Sequence, residues 1–175
     1  VLLLGITTPE DVPAIVESGV QVVAPDVRFA ELLSRAAVAA GRTVGVHLKV
    51  DTGMGRIGVQ ADGAVELARM LEALPGLDLV GVMTHFPTSD SEDLTFARQQ
   101  FGLFKRVCGD VCAAVGRGLL RHCANSGAIL LMPEAHLDAV RPGIIVYGCY
   151  PSDVRPAGVA LQPVMSLAAR IVFLK

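Results

Sequence analysis

The chain has 175 residues, about one domain's worth, and 52% of them are hydrophobic against 18% charged, which excludes an intrinsically disordered chain. The formal net charge is −2, aromatic residues make up 5% and Trp is absent, so there is neither a basic footprint nor a stacking platform for nucleic acid. No apolar run reaches the ~18 residues of a membrane span.

Along the chain, short apolar runs alternate with longer helix-like stretches. The strand-like runs are Val1–Ile6, Gln21–Ala24, Val44–Asp51, Leu77–Phe86, Leu119–Ala124 and Ala139–Tyr147. Several are apolar on both faces, as in a buried parallel sheet. Thr8-Pro9-Glu10-Asp11 reads as a helix start, with Thr as N-cap, Pro at the first position and acids in the first turn; Pro13 fits that start poorly. Phe29, Leu33, Ala36, Ala37 and Ala40 form a stripe at helical spacing, closed by Gly41. Asp62 is placed to cap a helix through Leu74, which Pro75-Gly76 ends, and Ser89 with Glu92 resembles a capping box for a helix reaching Gly116.

Consecutive βα units of this kind build an α/β domain, and two forms compete: an open doubly wound sheet, or a (β/α)8 TIM barrel with about six of its eight units present. After Tyr150 the pattern changes. Pro151, Pro156, Gly158 and Pro163 mark a linker, and Val164–Lys175 reads as one extended strand. We therefore expect a partial barrel domain over 1–155, and over 156–175 a linker with the first strand of a C-terminal β domain. Val1 opens directly on a strand-like run and RIVFLK stops abruptly, so a piece of a longer chain is expected.

The four cysteines, Cys108, Cys112, Cys123 and Cys149, form no C-x-x-C, and we read them as reduced, mostly buried thiols with no metal site. Chemistry is more plausible where polar residues interrupt strands. In Val44–Asp51, Gly45, His47, Lys49 and Asp51 share one face. Three ionisable groups on a buried strand are costly unless paired or functional; a salt-bridged row is the simpler account. Gly53-Met54-Gly55-Arg56-Ile57-Gly58 is a literal G-x-G-x-x-G. A dinucleotide site needs a helix opening within those glycines, and the helical pattern here starts only near Asp62. A tight loop is the better reading.

Thr84-His85-Phe86 ends one strand and Ala124-Asn125-Ser126-Gly127 another. The latter offers either a helix cap or a hydroxyl and backbone N–H groups for an anion. Arg141, in an apolar run, needs a buried partner or an anionic ligand. His122 and His136 receive no role. Lys49, Arg56, His85, Asn125, Ser126 and Arg141 all fall at or near strand C-termini, where a barrel gathers its active site. Two Arg, a Lys and a helix-start hydroxyl suit a phosphorylated cofactor or substrate.

Four segments, HLKVDTGMGRIG (47–58), THF (84–86), HCANSGA (122–128) and VRPGIIVYG (140–148), closely resemble the alanine racemase family, in order and along nearly the whole chain. That resemblance implies the TIM-barrel form, pyridoxal 5'-phosphate as cofactor, a small amino acid (alanine) as substrate, a homodimeric parent, and a bacterial cytoplasmic role supplying D-alanine for peptidoglycan. It implies that Arg56 bonds the phenolic oxygen of the cofactor, that Lys49 is the lysine often carbamylated in the family, and that His85 packs on the ring. Ser126, with the N–H groups of Gly143 and Ile144, would hold the phosphate; Asn125 would line the pocket; Arg141 would face the ring nitrogen. The family's Schiff-base lysine lies in a motif resembling K-A-x-A-Y-G-H-G, which this chain lacks, and its tyrosine base belongs to the C-terminal domain of the other subunit. Neither base is expected within this chain, which alone is expected to be inactive. A serine or broad-specificity amino-acid racemase, and a non-catalytic barrel binding the same cofactor, are the alternatives.

Overall fold

A computed structural model describes residues 1–175. β1 (Leu2–Leu3) is followed by a 3-10 turn, Pro9–Asp11, running into α1 (Val12–Ser18). The remaining elements are β2 (Gln21–Ala24), α2 (Val27–Ala39), β3 (Val44–Asp51), β4 (Val59–Gln60), α3 (Ala64–Ala73), β5 (Leu77–Met83), α4 (Thr95–Val115), β6 (Leu120–His122) and α5 (Ser126–Leu131). The sheet order is β1-β2-β3-β5-β6, all parallel, with β4 beside the end of β3. Each main strand lies next to the one before it, with no reversal of order. A doubly wound sheet would reverse; a barrel does not. The chain is a parallel half-barrel with helices outside.

Alternation in β3 sorts its side chains. Val44, Val46, Leu48 and Val50 are buried in the core shared with the helices, while His47 and Lys49 take the other face. Helix α4 contributes Ala97, Phe101, Phe104, Val107, Cys108 and Val111 at helical spacing. Leu33, Leu48, Leu71 and Leu79 are almost fully enclosed, each worth ~1.5–3 kcal/mol against exposure.

The helix starts are fixed by side chains. Thr8 N–H donates to Asp11 Oδ2 at 2.7 Å. The 3-10 turn delays α1 to Val12, so Pro13 falls in the first turn, where no N–H is needed. Phe29 N–H donates to Asp26 Oδ1 at 2.9 Å. Asp26→Ala is expected to cost ~1 kcal/mol in urea unfolding at unchanged m; an unaltered midpoint would show that this bond stabilises nothing.

Several expected strands are shorter. Val1–Ile6 contracts to Leu2–Leu3, Leu77–Phe86 to Leu77–Met83 and Leu119–Ala124 to Leu120–His122. Ala139–Tyr147 is not a strand. It makes one bridge, His122 to Ala139, and Arg141 N–H donates to Ala124 O at 2.9 Å. Pro142 then has no N–H to continue a ladder, and Ile144–Tyr147 coils into a 3-10 turn. The helix expected at Ser89 starts at Thr95, where Asp93 Oδ1 accepts the Thr95 N–H at 2.8 Å. Asp62 lies inside a 3-10 turn, Ala61–Gly63, that leads into α3. Residues 164–175 form no strand, and Leu167, Val172 and Leu174 are exposed. A strand needs a ladder of a neighbour's N–H and C=O groups, and the segment makes a single such bond, from Val164 N–H to Tyr147 O at 3.1 Å.

All four cysteines are free. Cys108 and Cys123 are buried, Cys112 partly so and Cys149 exposed, which corrects the expectation that most are enclosed. Burial pushes the thiols of Cys108 and Cys123 up to about 12, so both stay protonated and inert. No helix is long and apolar enough to cross a membrane.

Candidate active site

A cavity of about 490 Å³ lies at the C-terminal ends of the strands, lined by Lys49, Arg56, His85 and Arg141 together with Leu4, Ile6, Ile57 and Met83. No carboxylate lines it, and none of its three cations forms a salt bridge anywhere in the chain. A hollow between α4 and β6 is comparably large, but there Arg121 and Asp138 pair at 2.8 Å, and Lys105 lies over the Phe101 ring. The cations gathered without any carboxylate sit at the strand ends.

Lys49 reaches the cavity from β3. It is 1% exposed, and its ammonium has no hydrogen-bond acceptor in the chain. Burial, with the charges of Arg141 and Arg56, lowers its pKa to about 7, against a smaller opposing pull from Asp51. The salt-bridged row that is the alternative to a functional face on β3 is therefore absent. Asp51 turns instead to the following loop: its Oδ1 accepts from Gly53 N–H at 2.9 Å and its Oδ2 from Gly55 N–H at 3.0 Å. Partial burial works to raise the Asp51 pKa, and these backbone bonds outweigh it, so the carboxyl is held below its ordinary value.

The glycines of this loop serve the strand rather than a pyrophosphate. No α-helix opens within them; β4 follows. Gly58 has φ +116°, and a Cβ there would lie 2.8 Å from both Lys49 Cγ and Lys49 O. Only glycine lets the loop return this close to β3. Arg56 is carried on the same turn to the cavity rim.

His85 follows β5 and is half-buried. Burial, then the charges of Arg141, Lys49 and Arg56, pushes its pKa down to about 4. Arg141 is the most heavily tied residue. Its Nη1 lies 2.8 Å from His122 Nδ1. Its Nη2 donates to Thr84 O, 2.6 Å, and Cys123 O, 3.2 Å, and lies 3.4 Å from His85 Nδ1. Its Nε has no partner in the chain. Burial lowers its pKa to about 10, which leaves it a cation at neutral pH.

Ser126 opens α5, and its Oγ accepts the Gly143 N–H at 2.9 Å. Ser126, Gly143 and the 45%-exposed Ile144 fall outside the cavity lining. Asn125 also falls outside it, contrary to expectation. Its Oδ1 accepts from Ala128 N–H and Ser89 Oγ–H, and its Nδ2 donates to Phe86 O. The amide ties the loop after β5 to α5 and has little capacity left for a ligand. Sequence reasoning assigned no role to His122, the partner of half-buried Arg141. The only signal for it is an inward polar residue in a strand, the same signal that marks His47.

A parallel barrel domain with a basic, carboxylate-free cavity at its strand C-termini has the form in which barrel proteins place their ligand sites, and its charge suits an anion. Residues 1–151 match the family model described as alanine racemase, N-terminal domain. The alanine racemase of Chlorobaculum tepidum is 44% identical over 91% of this chain and 41% of its own length. The solved alanine racemase of Clostridium difficile superposes with a TM-score of 0.88 at 32% identity, over 93% of this chain and 43% of that one. The histidine racemase of Leuconostoc mesenteroides superposes at 0.82 with 25% identity, over 93% and 44%. The chain spans just under half the length of the curated relatives it matches. This chain belongs to the alanine racemase family.

Proposed function

We propose that the complete protein carrying this chain interconverts the L and D forms of alanine, with pyridoxal 5'-phosphate held in the basic cavity. The observation that carries this reading is the set of cations, Lys49, Arg56 and Arg141, gathered without a carboxylate. Lys49 is buried, Arg141 partly so and Arg56 exposed at the rim; cations withdrawn from water without a counter-ion are costly, and an anionic, ring-bearing cofactor supplies what they lack. The cavity residues fit the ring of that group: guanidinium for ring oxygen and nitrogen, and His85 for the ring face. The family resemblance assigns the phosphate to the Ser126 hydroxyl and the Gly143 and Ile144 N–H groups, which lie outside the cavity lining, with the Gly143 N–H bonded to Ser126 Oγ.

Bound there, the cofactor provides an electron sink for loss of the α-proton. The chain's own residues set its character. Arg141 stays a donor at neutral pH, which disfavours protonation of an acceptor nitrogen facing it. Lys49 is about half neutral at pH 7. A neutral amine adds carbon dioxide, forming an N–C bond and releasing a proton, and the resulting carbamate would turn a cation into an anion that holds Arg56. The proton-transferring lysine and tyrosine come from outside these residues: Lys49, Lys105 and Lys175 are the only lysines and none lies in the family's lysine motif. Dimerisation, a cytoplasmic location and D-alanine supply for peptidoglycan belong to the same proposal, as do the linker and C-terminal β strand over 156–175.

The likeness to a histidine racemase favours, as a second reading, a racemase for another or a broader set of amino acids. The complete protein, stripped of cofactor and reloaded with pyridoxal phosphate, is expected to racemise alanine at least tenfold faster than serine or histidine, measured by chiral chromatography. A preference for either of the others would replace the substrate. The purified 175-residue chain is expected to show no racemisation; cofactor-dependent turnover by it would overturn the assignment of both bases elsewhere.

A further inference from the structure

Across the inner face of the half-barrel, running back from Arg141, lie three polar side chains that the proposed chemistry does not use: His122, His47 and Gln21. His122 Nδ1 lies 2.8 Å from Arg141 Nη1, His122 Nε2 lies 2.9 Å from His47 Nδ1, and His47 Nε2 lies 3.0 Å from Gln21 Oε1. The line starts at Arg141, passes through β6 and β3, and ends on β2. His47 and His122 are 1% and 2% exposed, with rings 5.0 Å apart and nearly perpendicular.

One fixed charge sets every direction along it. A guanidinium has donors only, so His122 Nδ1 must accept. The His122 proton then sits on Nε2 and is donated to His47 Nδ1. The His47 proton sits on its own Nε2 and is donated to Gln21 Oε1, the acceptor end of that amide. No other placement of the protons satisfies all three contacts with both rings neutral. Burial beside Arg141 keeps them so, His47 at about 4 and His122 at about 3. The groups facing the line add only positive charge: Arg141 itself and Lys49.

Space for the crossing is provided on β5. Pairing of β3 with β5 slips between Val46 and His47, so that His47 lies opposite Gly81 rather than Val80. A Cβ at Gly81 would lie 2.6 Å from His47 Nδ1. The bulge and the missing side chain leave the His47 ring room to reach over β5 to His122.

We propose that Gln21, His47 and His122 form a one-way donor chain whose function is to hold the Arg141 guanidinium in one orientation toward the cavity. They are positioning residues, acting through Arg141. Three of its five N–H groups are committed to His122, Thr84 and Cys123, which leaves Nε–H and one Nη1–H for a ligand. This inference rests on the cofactor reading above for what Arg141 faces, but the proton placement does not.

Long-range nitrogen-15 spectra of the complete protein, labelled at histidine, report tautomers directly. Both His47 and His122 are expected as the Nε2–H form, unchanged from pH 8 to pH 5.5, with or without added pyridoxal phosphate. An Nδ1–H form or a protonated ring at pH 7 on either residue would overturn the chain. His122→Leu is expected to weaken pyridoxal phosphate affinity about tenfold by equilibrium dialysis. His122→Asn, which retains an acceptor for Arg141, should restore it to within about threefold while the His47 tautomer loses its definition. Equal affinity in wild type and His122→Leu, with the latter folded by circular dichroism, would also overturn it. If the tautomers are as stated and the wild type takes up no pyridoxal phosphate, the cofactor reading falls and the proton placement stands.

Discussion

Between pH 7 and pH 4.5 the protein is expected to lose about 5 kcal/mol of stability, because His47 and His122 are folded as neutral rings. Their pKa values drop from 6.5 in an open chain to about 4 and about 3 in the fold, through burial first and the Arg141 charge second. Below pH 6.5 the unfolded chain therefore binds protons that the folded one refuses. Stability rises with pH wherever the unfolded state holds more protons, so these residues contribute fully above pH 6.5. Their contribution is lost as pH falls toward 4 and 3. Two protons give a slope of up to about 3 kcal/mol per pH unit. His85, less enclosed, adds in the same direction. The carboxylates act lower: Asp138, held at about 2 by hydrogen bonds from Arg121, loses its contribution only below pH 3.8. Since domains carry ~5–15 kcal/mol in total, a loss of about 5 kcal/mol removes a third or more of it and unfolds a chain at the lower end of that range between pH 4 and 5. Urea midpoints measured from pH 7.5 to 4.5 test this; a flat profile from 7 to 5 would mean that the histidines are not buried as neutral rings.

Lys49 extends the same trend to alkali. Its pKa of about 7 against an ordinary 10.5 means that the unfolded state again holds the extra proton, so stability continues to rise between pH 7 and 10. A carbamate on Lys49 removes that second window, which makes the alkaline limb a direct reading of its modification.

The β/α alternation was legible because buried strands leave apolar runs, and the alternation within Val44–Asp51 placed His47 and Lys49 on one face correctly. What escaped was whatever depends on partners distant in sequence. Ser89 reads as a helix cap by local pattern, yet its hydroxyl is claimed by Asn125, 36 residues away, and α4 starts later. His122 reads as a lone polar residue because His47 is 75 positions distant. The run 139–147 is as apolar as a central strand, and its Pro142 was the local warning that it could not be one. Lys49, Arg56, His85 and Arg141 were grouped from strand-end placement alone, and the fold brings them around one cavity. Asn125 was grouped by the same reasoning and is instead a tie between loops.

Gly81 shows how much of the site depends on a residue with no side chain. In LDLVGVM it reads as a weak point of a strand. In the fold, His47, Gly81 and Leu120 lie abreast on three neighbouring strands. A methyl group at position 81 would sit 2.6 Å from the carbonyl oxygen of Leu120 as well as from the His47 ring. The ring could turn away only by abandoning His122, and the carbonyl belongs to the β5–β6 ladder and cannot move alone. Overpacking of this kind costs ~1–3 kcal/mol and more where backbone must shift. Gly81→Ala is therefore expected to lower stability by about 3 kcal/mol or more, and to scramble the His47 tautomer in whatever fraction stays folded. Gly102→Ala is the matched control. It lies within α4, and its new Cβ would meet only Arg106 Nη1 at 3.9 Å. There alanine should stabilise by up to about 1 kcal/mol, since it restricts the unfolded chain and favours the helix. Two alanines of identical chemistry should move the urea midpoint in opposite directions. If Gly81→Ala leaves it in place, the ring does not occupy the slot over β5, and the path from His47 to Arg141 is not built as described.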